Sequence, residues 1–80
     1  MTQTTNIKEL MLQYAQQERG NTDQWYKKDV ESAIYYINKY TFMDELYQDA
    51  LFGGTIAHSV GKVIRYVYHK SVETLEQKLD

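Results

Sequence analysis

Apolar residues recur along this chain at intervals of three and four, the spacing that places side chains on one face of an α-helix. The first stripe of this kind consists of Ile7, Leu10, Met11, Tyr14 and Ala15. Asn6 is suited to cap the helix, Glu9 stands at the third position of a capping box, and Gly20 is suited to end it. The pattern therefore predicts a first helix over residues 7–19.

Two further stripes follow, each bounded by residues that favour turns or helix ends. They consist of Tyr26, Val30, Ala33, Ile34 and Ile37, and then of Met43, Leu46, Tyr47, Ala50 and Leu51. The second helix is predicted over residues 23–40, and Thr41 is predicted to cap the third. Gly53 and Gly54 are predicted to end the third helix, because each glycine costs about 1 kcal/mol inside a helix.

A fourth helix is predicted to open at Thr55. Its stripe consists of Ile56, Val60, Val63, Ile64 and Val67, and the same phase continues through Tyr68, Val72, Leu75 and Leu79. Ser71 can cap a separate last segment, so the pattern allows either a continuous helix or a kink near Lys70. Gly61, inside the helix, indicates either a close approach of another backbone or a tolerated glycine. The fold class predicted is all-α, a small bundle of three to four helices with short loops, forming one domain over residues 1–80.

The composition narrows the class of protein further. Among the 80 residues there is no cysteine, which excludes disulfides and thiolate zinc sites. No apolar run approaches the roughly 20 residues that span a bilayer, and the polar start does not resemble a signal peptide. We therefore expect a cytoplasmic protein without a membrane segment. Tyrosine supplies 8 of the 11 aromatic residues, which suits either a core or an interface.

The side chains that carry catalysis do not form a recognisable constellation. His58 and His69 lie eleven residues apart, about 16 Å along a helix axis, too far to share one metal ion. Glu45 and Asp49 share a helix face, but two carboxylates alone favour a solvated surface over a metal site. Residues 53–55 are better explained as helix caps than as a phosphate site. We therefore predict no catalytic residue, no metal and no cofactor.

Charge is distributed unevenly along the chain. Residues 51–70 contain three basic residues and no acidic one, although the whole protein carries a net charge of −2. His58, Lys62, Arg65 and His69, spaced by four, three and four, are predicted to form one continuous exposed strip, here called the basic ridge. The candidate partner-binding residues are Lys62, Arg65, Tyr66, His69, Lys70 and His58.

Three interpretations of the basic ridge remain open. It can be a solvated helix face, a contact for an acidic protein that includes a second copy of this chain, or a contact for nucleic-acid phosphates. In the last case Tyr66 or Tyr68 would stack on a base, but three full charges are few for a DNA-binding protein. The leading hypothesis is a non-enzymatic helical interaction protein that works as a homo-oligomer, with nucleic-acid binding as the alternative.

One run of residues resembles a known family. Residues 61–70 read Gly-Lys-Val-Ile-Arg-Tyr-Val-Tyr-His-Lys, which resembles the signature Gly-Asn-Val-Ile-Lys-Tyr-Val-Trp-Arg of the SaV-like small phage proteins. Residues 25–27 would replace the family's His-Tyr element, and residues 72–79 would be a shortened C-terminal helix. The resemblance implies a phage or prophage accessory protein. Because some members resemble phage nucleotide kinases, it also implies a nucleotide-handling enzyme as a second alternative. Trp25, Lys62 and His69 replace the family's polar residues, which weighs against inherited catalysis.

Overall fold

A computed structural model describes residues 6–79 of the chain, with side chains as far as residue 77. It contains four helices, which are α1 (Ile7–Glu18), α2 (Lys27–Lys39), α3 (Met43–Phe52) and α4 (His58–Leu79). No strand occurs within this described part. The predicted all-α bundle with short loops is confirmed, while residues 1–5 and 80 of the predicted domain lie outside the described residues.

The start of α1 follows the sequence signal. The Asn6 side-chain oxygen accepts a hydrogen bond from the Glu9 backbone N–H at 2.9 Å. This bond satisfies one of the N–H groups that the first helical turn leaves without a partner. The helix ends at Glu18, and Arg19 rather than a later residue is its C-cap.

α1 and α2 form an antiparallel pair that is tied at both ends. Near the start of α1, Lys8 Nζ donates to the carbonyl oxygens of Asn38 at 3.1 Å and Tyr40 at 2.7 Å. A cation at the C-terminal end of a helix interacts favourably with its free carbonyls and its dipole. At the opposite end, Arg19 and Glu31 form an exposed ion pair at 3.0 Å.

The predicted start of α2 at residue 23 is wrong, because the chain first makes a turn. The Asn21 carbonyl accepts the N–H groups of Gln24 at 3.2 Å and Trp25 at 3.1 Å. The indole N–H of Trp25 donates to Glu18 at 2.7 Å, which holds this turn against the end of α1. Tyr26 therefore becomes the N-cap with an extended backbone, and its side chain is 78% exposed instead of joining the core stripe.

The predicted caps of α3 and α4 are also wrong. Thr41 lies before the N-cap of α3, which is Phe42 and has no side-chain cap bond. Thr55 lies in a turn three residues before α4 begins. The predicted break between the helices is confirmed, because Gly53 and Gly54 adopt φ angles of 81° and 88°. These positive angles favour glycine, which has no Cβ to hinder them.

α4 packs against α1, α2 and α3. The helix is continuous through Ser71, and the buried Ser71 side chain does not cap a separate last segment. The buried apolar residues are Leu10, Met11, Ala15, Val30, Ala33, Ile37, Met43, Leu46, Ala50, Ile56, Val60, Val63, Ile64 and Val67. This set confirms the predicted α4 stripe as far as Val67. Within the stripe of α3 the prediction for Leu51 is wrong, since that side chain is 46% exposed.

The backbones of α3 and α4 come very close at Gly61. A Cβ atom built on Gly61 would lie 2.9 Å from the carbonyl oxygen of Ala50. Real Cβ atoms essentially never approach another heavy atom so closely. Of the two interpretations of this glycine, the structure supports the close approach of another backbone.

None of the helices in residues 6–79 combines the length and the apolar character needed to cross a membrane.

Candidate functional site

The predicted basic ridge occupies the face of α4 that points away from the core. His58, Lys62 and His69 are exposed, whereas Arg65 is half-buried instead of fully exposed. Within the described residues the one ion pair is Arg19–Glu31, between α1 and α2. The cations of the ridge therefore have no carboxylate partner in this part of the chain.

Arg65 is less exposed than the other residues of the basic ridge. Its Nε atom is buried and has no hydrogen-bond partner among the described residues. A buried donor that loses water without gaining an acceptor costs free energy, about 1–3 kcal/mol when fully buried. The terminal nitrogens of its guanidinium group are not among the buried atoms that lack a partner, and the side chain lies at the middle of the ridge. Arg65 is thus a partly desolvated cation that lacks an acceptor.

Tyr66 and Lys70 lie on a different flank of α4 from the basic ridge. The Tyr66 ring packs against Trp25, with ring centroids 5.6 Å apart. Lys70 Nζ lies 5.4 Å from the Tyr14 ring centroid and 5.5 Å from that of Tyr66. It also donates to the Tyr66 hydroxyl at 3.4 Å, and this bond raises the pKa of Lys70. The structure therefore places these two candidate residues against α1 and the loop before α2, and His69 is the ridge residue that lines a shallow pocket with them.

The C-terminal end of the ridge joins a hydrogen-bonded aromatic network between α3 and α4. The Tyr47 hydroxyl lies 3.1 Å from His69 Nε2, and the Tyr47 ring stacks on Tyr68 with centroids 4.5 Å apart. The Tyr68 hydroxyl donates to Asp44 at 2.8 Å. Sequence reasoning missed this network. No signal within a single segment indicated it, because every one of these contacts joins α3 to α4.

Both tyrosines predicted to stack on a nucleic-acid base are engaged within the protein. Tyr68 stacks on Tyr47, and Tyr66 packs against Trp25. Base stacking on single-stranded nucleic acid needs an accessible aromatic face. The geometry of α4 therefore favours a contact made by charged side chains over one made by stacked bases.

α3 presents a surface that is both acidic and apolar. Asp44, Glu45 and Asp49 are exposed, here called the acidic α3 face, and no basic residue occurs between positions 43 and 52. Three of the exposed large hydrophobic residues belong to α3 or its N-cap, and they are Phe42, Leu51 and Phe52. Phe52 is 78% exposed. This concentration of apolar side chains on one short helix is a feature of interaction surfaces.

Hydrogen bonds to the acidic α3 face hold two tyrosines neutral. The bond to Asp44, followed by burial, raises the pKa of Tyr68 to about 12 from 10.0. The Asp49 carboxylate acts in the same way on Tyr40 and raises its pKa to about 12. Because the folded state has the higher pKa, the stability from these bonds is complete below pH 10. It is lost as the pH rises from 10 towards 12.

We accordingly expect the melting temperature to fall between about pH 10 and 12, as the two tyrosines ionise more readily in the unfolded chain. Tyr68→Phe is expected to make this fall shallower, because one of the two groups is removed. Melting curves followed by circular dichroism over this pH range measure the effect. Tyr26→Phe, which removes a hydroxyl from a ring that is 78% exposed, is the control. An equally steep fall in Tyr68→Phe would contradict the role of the Asp44 bond.

Within the described residues, no group of three or more histidine or acidic side chains is placed to hold a metal ion.

Comparison with known proteins gives no assignment. No family model matches this sequence, no curated protein matches it, and no solved structure matches it. The resemblance of residues 61–70 to the SaV-like small phage proteins stays a prediction.

Proposed function

We propose that this protein is a non-enzymatic helical interaction module whose basic ridge binds an acidic surface of a protein partner. The observation that carries the proposal is Arg65, a half-buried cation that makes no ion pair among the described residues. Its Nε is buried and out of a partner's reach, but the two terminal guanidinium nitrogens are not among the buried unpartnered atoms. A carboxylate from a partner would accept charge-assisted hydrogen bonds from these terminal nitrogens.

The charge distribution supports the same proposal. The protein as a whole has a net charge of −2, so an acidic partner is repelled by most of its surface. The ridge is the exception, because residues 51–70 contain no acidic residue and Lys62 and Arg65 form no ion pair within the described residues. Charge of this kind directs encounter and orientation more than it adds affinity. The ridge would therefore determine how the partner is oriented on α4.

We expect Arg65→Met to weaken binding of an acidic probe about tenfold while leaving the melting temperature unchanged or raising it by a few degrees. Methionine keeps the apolar stem of the side chain and removes the buried N–H that lacks an acceptor. The probe is a synthetic polyglutamate peptide, titrated into isotopically labelled protein and followed by the backbone amide NMR signals. The signals of residues 58–69 are expected to shift in the wild-type protein.

The matched control is Arg19→Met, which removes the same charge from the exposed ion pair with Glu31 between α1 and α2. It is expected to leave probe affinity unchanged because Arg19 is not part of the basic ridge, and to change stability little because exposed ion pairs contribute little. Equal affinities for wild-type and Arg65→Met would overturn the proposal. If the same residues bound a short DNA duplex more tightly than polyglutamate, and if added salt weakened that binding steeply, nucleic-acid binding would replace the proposed protein contact.

The biological setting is part of the proposal and rests on sequence resemblance. Residues 61–70 resemble the signature of the SaV-like small phage proteins, which implies a phage or prophage accessory protein. An accessory protein of this kind would act in the host cytoplasm by binding a host protein or another copy of itself. We propose this setting together with the interaction function and no catalytic role.

A further inference from the structure

α3 and α4 carry opposite and unmatched charges on neighbouring helices. α3 holds three acidic residues and no basic one, and residues 58–70 of α4 hold three basic residues and no acidic one. Two of those cations, Lys62 and Arg65, lie on the basic ridge. Within the described residues, neither the ridge nor the acidic α3 face takes part in an ion pair. Each surface is thus electrostatically complementary to the other.

The two helices run in opposite directions. Ala50 near the end of α3 contacts Gly61 near the start of α4, and Asp44 at the start of α3 bonds Tyr68 further along α4. A two-fold axis that runs parallel to the two helices and between them would place α3 of one copy on α4 of the other, and the reverse contact follows by symmetry. The pair is therefore self-complementary in both charge and direction.

Apolar exposure is concentrated on the same part of the molecule. Leu51 is 46% exposed and Phe52 is 78% exposed, and both lie at the end of α3 that approaches the start of α4. Interfaces between proteins combine exposed apolar side chains of this kind with complementary charges around them. A surface that mixes acidic, basic and apolar groups does not suit nucleic acid, which would be repelled by the acidic α3 face.

We propose that the acidic α3 face of one copy binds the basic ridge of a second copy, so that the chain forms a two-fold symmetric dimer through α3 and α4. This inference rests on the proposed function and names its partner. Lys62 of one copy would approach Glu45 of the other, and the Arg65 guanidinium would gain a carboxylate acceptor. The exposed Leu51 and Phe52 side chains would be covered between the two copies.

The size of this surface predicts a dimer that dissociates on dilution. Two adjacent helices present a face about 20 Å wide, but the 10 residues of α3 extend only about 15 Å, which limits the length of the face that both helices form. Such a face is smaller than the roughly 800 Å² per partner of a standard stable interface. Charge pairs at its rim are screened by salt, so added salt is expected to shift the equilibrium towards the monomer.

Charge reversal at Lys62 and Glu45 tests the pairing. Both side chains are exposed and make no hydrogen bond within the described residues, so the variants are expected to fold. Lys62→Glu and Glu45→Lys are each expected to raise the dimer Kd by at least tenfold, because like charges meet at two symmetric contacts. The double variant that carries both changes is expected to return the Kd towards the wild-type value. Sedimentation velocity over a concentration series measures each Kd, and circular dichroism checks the fold.

The control is Lys28→Glu, the same change of charge at an exposed position of α2, which is expected to leave the Kd unchanged. A wild-type protein that stays monomeric throughout the series would overturn the dimer. It would leave the proposed function standing, because that function is tested separately by the effect of Arg65→Met on polyglutamate binding. Weakening by Lys62→Glu alone would show that the ridge is used without α3, which also overturns this inference. A double variant as weak as the single ones would overturn the Lys62–Glu45 pairing.

Discussion

Leu46→Ala is expected to lower the free energy of unfolding by about 2–5 kcal/mol, the usual range for a large buried aliphatic residue. Leu46 is fully buried, and it is the largest fully buried side chain that α3 contributes. A helix of 10 residues is marginal by itself in water, so α3 depends on this contact to stay folded. Small domains have total stabilities of about 0.05–0.15 kcal/mol per residue, so such a loss is a large fraction of the whole.

Denaturant titration followed by circular dichroism measures this loss. Leu51→Ala, measured at concentrations at which the proposed dimer is dissociated, is the matched control, because it removes the same atoms from the same helix at a side chain that is 46% exposed. We expect this control to change the free energy of unfolding by less than about 1 kcal/mol. Equal effects of the two substitutions would mean that Leu46 does not anchor α3.

Gly61→Ala is expected to destabilise the protein by about 1–3 kcal/mol, although alanine favours helices over glycine by about 1 kcal/mol. The new Cβ would lie 2.9 Å from the Ala50 carbonyl oxygen, which is backbone and cannot rotate away. α3 and α4 would have to separate to admit the methyl group, and this movement loosens the packing around it. The steric cost therefore exceeds the gain in helix propensity.

The comparison for this substitution is Gly20→Ala, measured by thermal and denaturant unfolding together. A Cβ on Gly20 would meet the Gln17 carbonyl oxygen at 3.8 Å, an ordinary van der Waals distance. Because alanine also restricts the unfolded chain, Gly20→Ala is expected to be neutral or slightly stabilising. A Gly61→Ala protein at least as stable as the wild type would contradict the close approach of the two backbones.

The periodicity of apolar residues predicted the helices of this bundle but not all of their boundaries. The α4 stripe from Ile56 to Val67 is buried as predicted, because helical spacing directly reports which face is apolar. The starts of α2 and α3 were missed, since Thr41 matches a capping residue in type and only the backbone conformation decides whether it caps. The spacing of Tyr26 fits the core stripe, but the residue precedes the helix and its side chain is exposed.

The sequence predicted which residues of α4 are exposed, but not the contacts that some of them make with α3. Spacing along α4 placed His58, Lys62 and His69 on an exposed face, since one helix determines its own outward side. It gave no information on contacts between helices. The stacking of Tyr47 on Tyr68 and the buried Nε of Arg65 both depend on how α3 packs beside α4. Such contacts follow from tertiary structure and not from the pattern of a single segment.

The central position of α4 has a consequence for synthesis of the chain. α4 packs against α1, α2 and α3, yet it follows all three in the order of translation. When the first three helices have left the ribosome, the apolar residues that α4 covers are still exposed to solvent. The nascent bundle therefore completes its core only after α4 emerges from the exit tunnel, and until then its uncovered apolar faces are available to chaperones.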